Sequence, residues 1–230
     1  FQGCRQAVSL DGAAANTNVV RNCRFDANLV IDKNVNGGPV AACGVTVVGS
    51  GVSKVEDCAF SRNYLIQNGK VALGASCYCA PSATGEATVQ DCSFTSNRMA
   101  KMACGDVAVC GSGVVRVERC RFVGGRSVKT GNSSWARIFA VSAGVGANHS
   151  GRLVVRDSYF GDCAATADNN DPHVAVFAVS SGESAFVNCT VEDCEIRLSA
   201  SAGLHAVKPV RCLVKNCHIH DVGGNGIHFF

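Results

Sequence analysis

Short runs in which apolar and polar residues trade places recur along the whole chain. Seven of them share one frame: VRNCRFDAN, VEDCAFSRN, VQDCSFTSN, VERCRFVGG, VRDSYFGDC, FVNCTVEDC and VKNCHIHDV. The frame places Cys23, Cys58, Cys92, Cys120, Ser158, Cys189 and Cys217 at one position, 28 to 38 residues apart. Such a period marks a repeat architecture. Three residues earlier stand Val20, Val55, Val89, Val117, Val155, Phe186 and Val214. Two residues later stand Phe25, Phe60, Phe94, Phe122, Phe160, Val191 and Ile219. The cysteine and the aromatic are two apart and share one face of a strand. The valine is three away, which breaks the alternation. A left-handed bend at Asn22, Asp57, Asp91, Arg119, Asp157, Asn188 and Asn216 lets all three face inward, and Asn and Asp tolerate that conformation best among non-glycine residues.

A second strand, rich in Val and Ala, precedes the frame: VAACGVTVV, MACGDVAVC, ARIFAVSAGV and HVAVFAVSS. Glycine turns lie between the two, at Gly49 and Gly51, Gly85, Gly111 and Gly113, Gly151, and Gly182. Each unit reads strand, turn, strand, bend, strand, then a loop of variable length. The prediction is an all-β, right-handed parallel β-helix, a solenoid of about seven coils with three short strands per coil. It spans residues 1–230 as one segment. Like residues then stack as internal ladders at about 4.8 Å per coil. A leucine-rich repeat shares the spacing of VxxCxFxxN, with Asn28, Asn63 and Asn97 at its asparagine position. Few leucines, a longer period and a β-branched, glycine-rich remainder favour the β-helix.

Composition narrows the function classes. Hydrophobic residues are 47% and charged residues 17%, which excludes a disordered tail. No run reaches eighteen apolar residues, so no transmembrane helix is expected. The net charge of +3 is small and spread out, so neither nucleic acid nor insertion into a membrane is expected. Fifteen cysteines suit an extracellular or cell-surface setting. The chain opens at Phe1 and ends at Phe230 in an apolar run, and is expected to be part of a longer protein whose neighbouring coils cover its ends.

The FxxN segments Phe25–Asn28, Phe60–Asn63 and Phe94–Asn97, with GGPV at Gly37–Val40, resemble the CxFxxN repeats of chlamydial polymorphic outer-membrane proteins. Later coils replace the Asn with Gly125, Cys163, Cys194 and Val222. The last coil, CHIHDVGGNGIHFF, resembles the NxIxDxxxNGI repeats of pectin-lyase-like β-helices, which work on polysaccharides. The first resemblance implies an adhesin-like surface rod that binds glycans or protein partners through lateral loops, non-catalytic in this segment. The second implies a polysaccharide lyase, hydrolase or epimerase, or a carbohydrate-binding module. No cofactor is expected, except calcium if the lyase reading holds.

Candidate site residues follow from clustering. His205, His218, His220 and His228 crowd the last coils beside Asp221, and are the candidates for general acid–base work. A polysaccharide-cleaving site also needs paired acids. Asp57 and Asp91 stack as one such pair, but bend geometry accounts for their whole column. Arg126, Lys129, Trp135 and Arg137 place basic residues beside the only tryptophan, a candidate binding edge. Asn132 and Asn148 are candidate glycosylation sites, while Asn188 is expected in a tight bend. The inner cysteines read as small buried hydrophobes. Cys43, Cys77 and Cys104 form a second expected stack, and Cys163 with Cys194 an expected pair. The spacing of the cysteines predicts no metal site.

Overall fold

Residues rich in β-branched and aromatic side chains, cut every few positions by a bend, can form only short strands. The computed structural model contains such strands and, among the described residues, no helix. It describes residues 2, 8–32, 42, 44–67, 74–100, 104–128, 138–144, 150–162, 173–179, 188–197, 202–207 and 211–229. Every strand pairing is parallel, and the strands stack in four sheets as a β-solenoid.

The first sheet has eight strands, from Val8–Gly12 to Ile227–Phe229. The second runs through Thr17–Arg21, Val52–Glu56, Glu86–Gln90, Val114–Glu118, Arg152–Arg156, Asn188–Glu192 and Arg211–Lys215. The third has seven three-residue strands, from Arg24–Asp26 to His218–His220. The fourth holds Leu29–Asp32, Tyr64–Gln67, Arg98–Ala100 and Arg126–Val128. The expected three-strand coil therefore needs correction. A fourth strand follows the FxxN corner, and among the described residues the complete four-sided turn occurs four times rather than the expected seven.

The bends are where the sequence places them, with one exception. Asn22, Asp57, Asp91, Arg119, Asp157 and Asn216 have φ between 50° and 54°. In the sixth turn the bend is Asp193, at φ 53°, and not Asn188. The segment FVNCTVEDCEI fits the frame twice, five residues apart. The structure uses the second fit: Val191 pairs with Val155, Cys194 follows the bend, and Ile196 pairs with Phe160. Asn188 begins a strand, and Cys189 stacks between Leu153 and Cys212. Only this register puts an aspartate at the left-handed position and keeps the bulky Ile196 on the phenylalanine column. Cys194 is thus a ladder residue rather than a partner for Cys163, which lies outside the described residues.

The core is built of columns. Phe25, Phe60, Phe94, Phe122 and Phe160 are fully buried, with neighbouring ring centroids 4.6–4.9 Å apart and planes within 5°. Ring separation equals strand separation, so one pitch serves backbone and side chains alike. Beside this column the cysteine thiols bond back to the bend. Cys58 Sγ donates to the Glu56 carbonyl at 3.1 Å, and Cys92 Sγ to that of Gln90 at 3.1 Å. Ser158 makes the same bond, to the Arg156 carbonyl, at 2.8 Å. A small side chain with one donor is what the position needs, which explains the substitution. The other expected cysteine stack does not form at Cys77, whose neighbours are Val45 and Val107. Unequal loops and a bulge shift that register. Cys43 lies outside the described residues.

The asparagines form a buried ladder. Asn28 N–H donates to Asn63 Oδ1 at 3.1 Å, and Asn63 N–H to Asn97 Oδ1 at 2.9 Å. The Asn63 and Asn97 amides donate to the Phe25 and Phe60 carbonyls, each at 3.2 Å. The next rung is Gly125, which has no side chain to offer. Asp106 fills that space from the first sheet, where a bulge sets Ala75 and Ser76 opposite it. Asn97 Nδ2 donates to Asp106 Oδ1 at 2.8 Å, and Ser76 Oγ to the same oxygen at 3.3 Å. Burial raises the Asp106 carboxyl to about 7, against the pull of these two bonds.

That carboxyl makes stability pH-dependent. Its unfolded value is 3.8, so between about pH 4 and 7 the folded chain holds the extra proton. Stability therefore falls as pH rises through this window, by about 4 kcal/mol in all, and levels off above it. Asp106→Asn should flatten this slope and raise the melting temperature at pH 8, read by thermal melts from pH 5 to 8. An equal slope in both proteins would refute the assignment. In the cysteine column, Cys92→Ser should keep the fold with a loss of about 1 kcal/mol. Cys92→Leu should lower stability by about 1–3 kcal/mol through overpacking, read by urea unfolding.

Candidate functional site: an arginine-lined groove

Alternation along each strand of the second sheet puts its second and fourth residues inside and its first, third and fifth outside. RLVVR thereby turns Arg152, Val154 and Arg156 outward, and RCLVK turns out Arg211, Leu213 and Lys215. Between them Asn188–Glu192 presents Asn188, Thr190 and Glu192. Register sets Arg152, Asn188 and Arg211 in one row, and Val154, Thr190 and Leu213 in the next. With Arg116, Arg156 and Glu192, these two rows line a groove of about 390 Å³.

Most charges here are paired. Arg116 Nε donates to Glu86 Oε1 at 2.9 Å. Glu192 accepts from Arg156 Nη2 at 3.1 Å and from Lys215 Nζ at 2.7 Å, and these two cations hold its carboxyl below the usual range. Arg152 and Arg211 are exposed and have no ion-pair partner among the described residues. Val154, only 2% exposed, forms the floor. The groove can hold an anion against two guanidinium groups and offer an amide and a hydroxyl between them.

The histidine candidates separate into two places. His218 and His220 stack, ring centroids 4.3 Å apart, on the third sheet. His220 Nδ1 lies 2.8 Å from Asp221 Oδ2, and its Nε2 lies 3.6 Å from Glu195 Oε1. His205 and His228 are register partners on the first sheet. No group of three or more His, Cys, Asp or Glu residues among the described residues is arranged to hold a metal ion. The imidazole lies between two carboxylates, and among the described residues no further acid is paired with it.

The other candidates fare differently. Asp91 is not half of an acid pair, because Arg119 donates to both its oxygens at 2.8 Å and holds its carboxyl down. Asp57 is a bend residue. Arg126 is exposed on the fourth sheet, in register with Arg98. Lys129, Trp135, Arg137, Asn132 and Asn148 lie outside the described residues. Asn188 sits in the groove, in a strand and not in a tight bend. Sequence reasoning missed Arg116, Arg152, Arg156, Glu192 and Arg211. The signal was present as charged outer positions in RLVVR and RCLVK, but the shifted frame of the sixth turn concealed the row that joins them.

The thiols beneath these surfaces are free among the described residues. Burial drives the Cys77 thiol well up, and pushes Cys79 to about 12. Cys212 differs. It is half-buried, and a hydrogen bond from the Cys189 thiol holds it below the ordinary value while Cys189 is pushed up.

Comparison with family models, with curated proteins and with solved structures finds no match to this chain. The fold is thus assigned from its own geometry, as a parallel β-helix repeat.

Thiol chemistry should follow this division. At neutral pH, iodoacetamide should label Cys212 at least tenfold faster than Cys58, Cys77, Cys92 or Cys189. Peptide mapping by mass spectrometry reads the order. Uniform labelling of all five before unfolding would contradict the buried ladders.

Proposed function

We propose that this chain is a secreted or cell-surface β-helix scaffold that binds glycans or protein partners along its side. The described segment does no chemistry of its own in this reading. The observation that carries it is the groove on the second sheet, where two arginines stand without counter-charges among the described residues on a parallel face. The resemblance to CxFxxN repeats supports a surface rod. The loop around Trp135, the binding edge expected from the sequence, lies outside the described residues, and this reading rests on the sheet face.

A second reading is a pectin-lyase-like enzyme acting on polysaccharides, with calcium where a lyase needs it. His220, set between Asp221 and Glu195 beside His218, favours it.

The two readings separate in one experiment. The chain is incubated with acidic and neutral polysaccharides, with and without calcium, while bound polymer, reducing ends and unsaturated products are followed. The scaffold reading expects binding without turnover. Turnover that falls at least a hundredfold in His220→Gln would replace it with the enzyme reading.

A further inference from the structure

We infer that the groove between Arg152 and Arg211 is a binding site for an acidic polysaccharide, one bearing sulfate esters or uronate carboxylates. This deepens the scaffold reading above and rests on it.

The two guanidinium groups lie in one row with Asn188 between them. They are two rungs apart, or about 10 Å on the strand spacing. A guanidinium takes an oxyanion through two parallel hydrogen bonds, which an ammonium cannot do. Two such forks on a rigid sheet select a chain whose anionic groups recur at that interval. Asn188 and Thr190 fill the interval with an amide and a hydroxyl, the partners that sugar hydroxyls require.

Charge in the rest of the groove reinforces the choice. Among the described residues Glu192 is the only acidic one lining it, and it is already neutralised by Arg156 and Lys215, so it does not repel an anion. An acidic protein partner fits less well. Among the described residues the apolar lining is Val154 at the floor and Leu213 at the rim, without an aromatic anchor of the kind that dominates protein interfaces. A polymer that repeats its charge needs no such anchor.

The test uses the full chain and three immobilised polymers: heparin for sulfate, polygalacturonate for carboxylate and dextran as the neutral control. The proposal expects binding to heparin, polygalacturonate or both, weakened by added salt, and little to dextran. The double variant Arg152→Gln/Arg211→Gln should weaken it at least tenfold, with an unchanged melting temperature because both side chains are exposed. Arg98→Gln, on the fourth sheet, should leave it unchanged. Heparin carries uronate carboxylates as well as sulfates, so binding to heparin alone identifies sulfate as the required group, and equal binding to both polymers identifies the carboxylate. Acidic-polymer binding that survives in the double variant, or is lost in Arg98→Gln, overturns the groove assignment and leaves the scaffold reading standing. Binding to dextran alone does the same. Binding to none of the three overturns the groove assignment and its glycan ligand, leaving the scaffold reading only with protein partners.

Discussion

One spacing governs this molecule. Parallel strands in register hold successive turns about 4.8 Å apart, so each side chain must be compatible with a near copy of itself directly above and below. Phenylalanine meets that demand by stacking, valine by interlocking, cysteine by bonding to the bend carbonyl, and asparagine by passing hydrogen bonds along its column. The left-handed bends follow from the same constraint, since without them the valine and the phenylalanine of one turn would face opposite sides.

Exceptions to the columns show what each position requires. Ser158 replaces a cysteine and keeps its hydrogen bond, so the column selects for size and one donor and not for sulfur chemistry. Gly125 interrupts the asparagine ladder, and Asp106 reaches in from another sheet to end it. An apolar residue there would leave the Asn97 amide without that acceptor. An ionised carboxylate would be a buried charge without a cation among the described residues, so the proton that Asp106 keeps below about pH 7 is part of how the ladder closes.

Legibility in the sequence followed the same division. Columns of identical residues, such as the phenylalanines and the early bends, could be read directly because repetition is itself the physical requirement. Columns of unlike residues could not. The second left-handed corner uses Ala27, Arg62, Ser96, Gly124, Asp162 and Asp221, and no common chemistry announces it. The sixth turn satisfied the hydrophobic frame in two registers, and only three-dimensional pairing distinguishes an Asp193 bend from an Asn188 bend. The fourth sheet had no frame of its own, because its short strands follow a corner of mixed composition. The groove depends on outer positions of three separate turns, and one of those turns was out of frame.

Outward columns obey the ladder rule in electrostatic form. The last position of the second sheet reads Arg21, Glu56, Gln90, Glu118, Arg156, Glu192 and Lys215, so like charges never occupy adjacent rungs. Opposite neighbours form ion pairs there, as in Arg156–Glu192 and Lys215–Glu192. The first position keeps its two arginines apart with Asn188 but supplies neither with an acid. Exposed pairs of this kind add little to stability, so their regularity serves mainly to avoid repulsion between stacked charges. The row of Arg152, Asn188 and Arg211 avoids that repulsion without neutralising its cations. It is a place on this sheet where the fold's own rule is met and charge is still left over for something outside the chain.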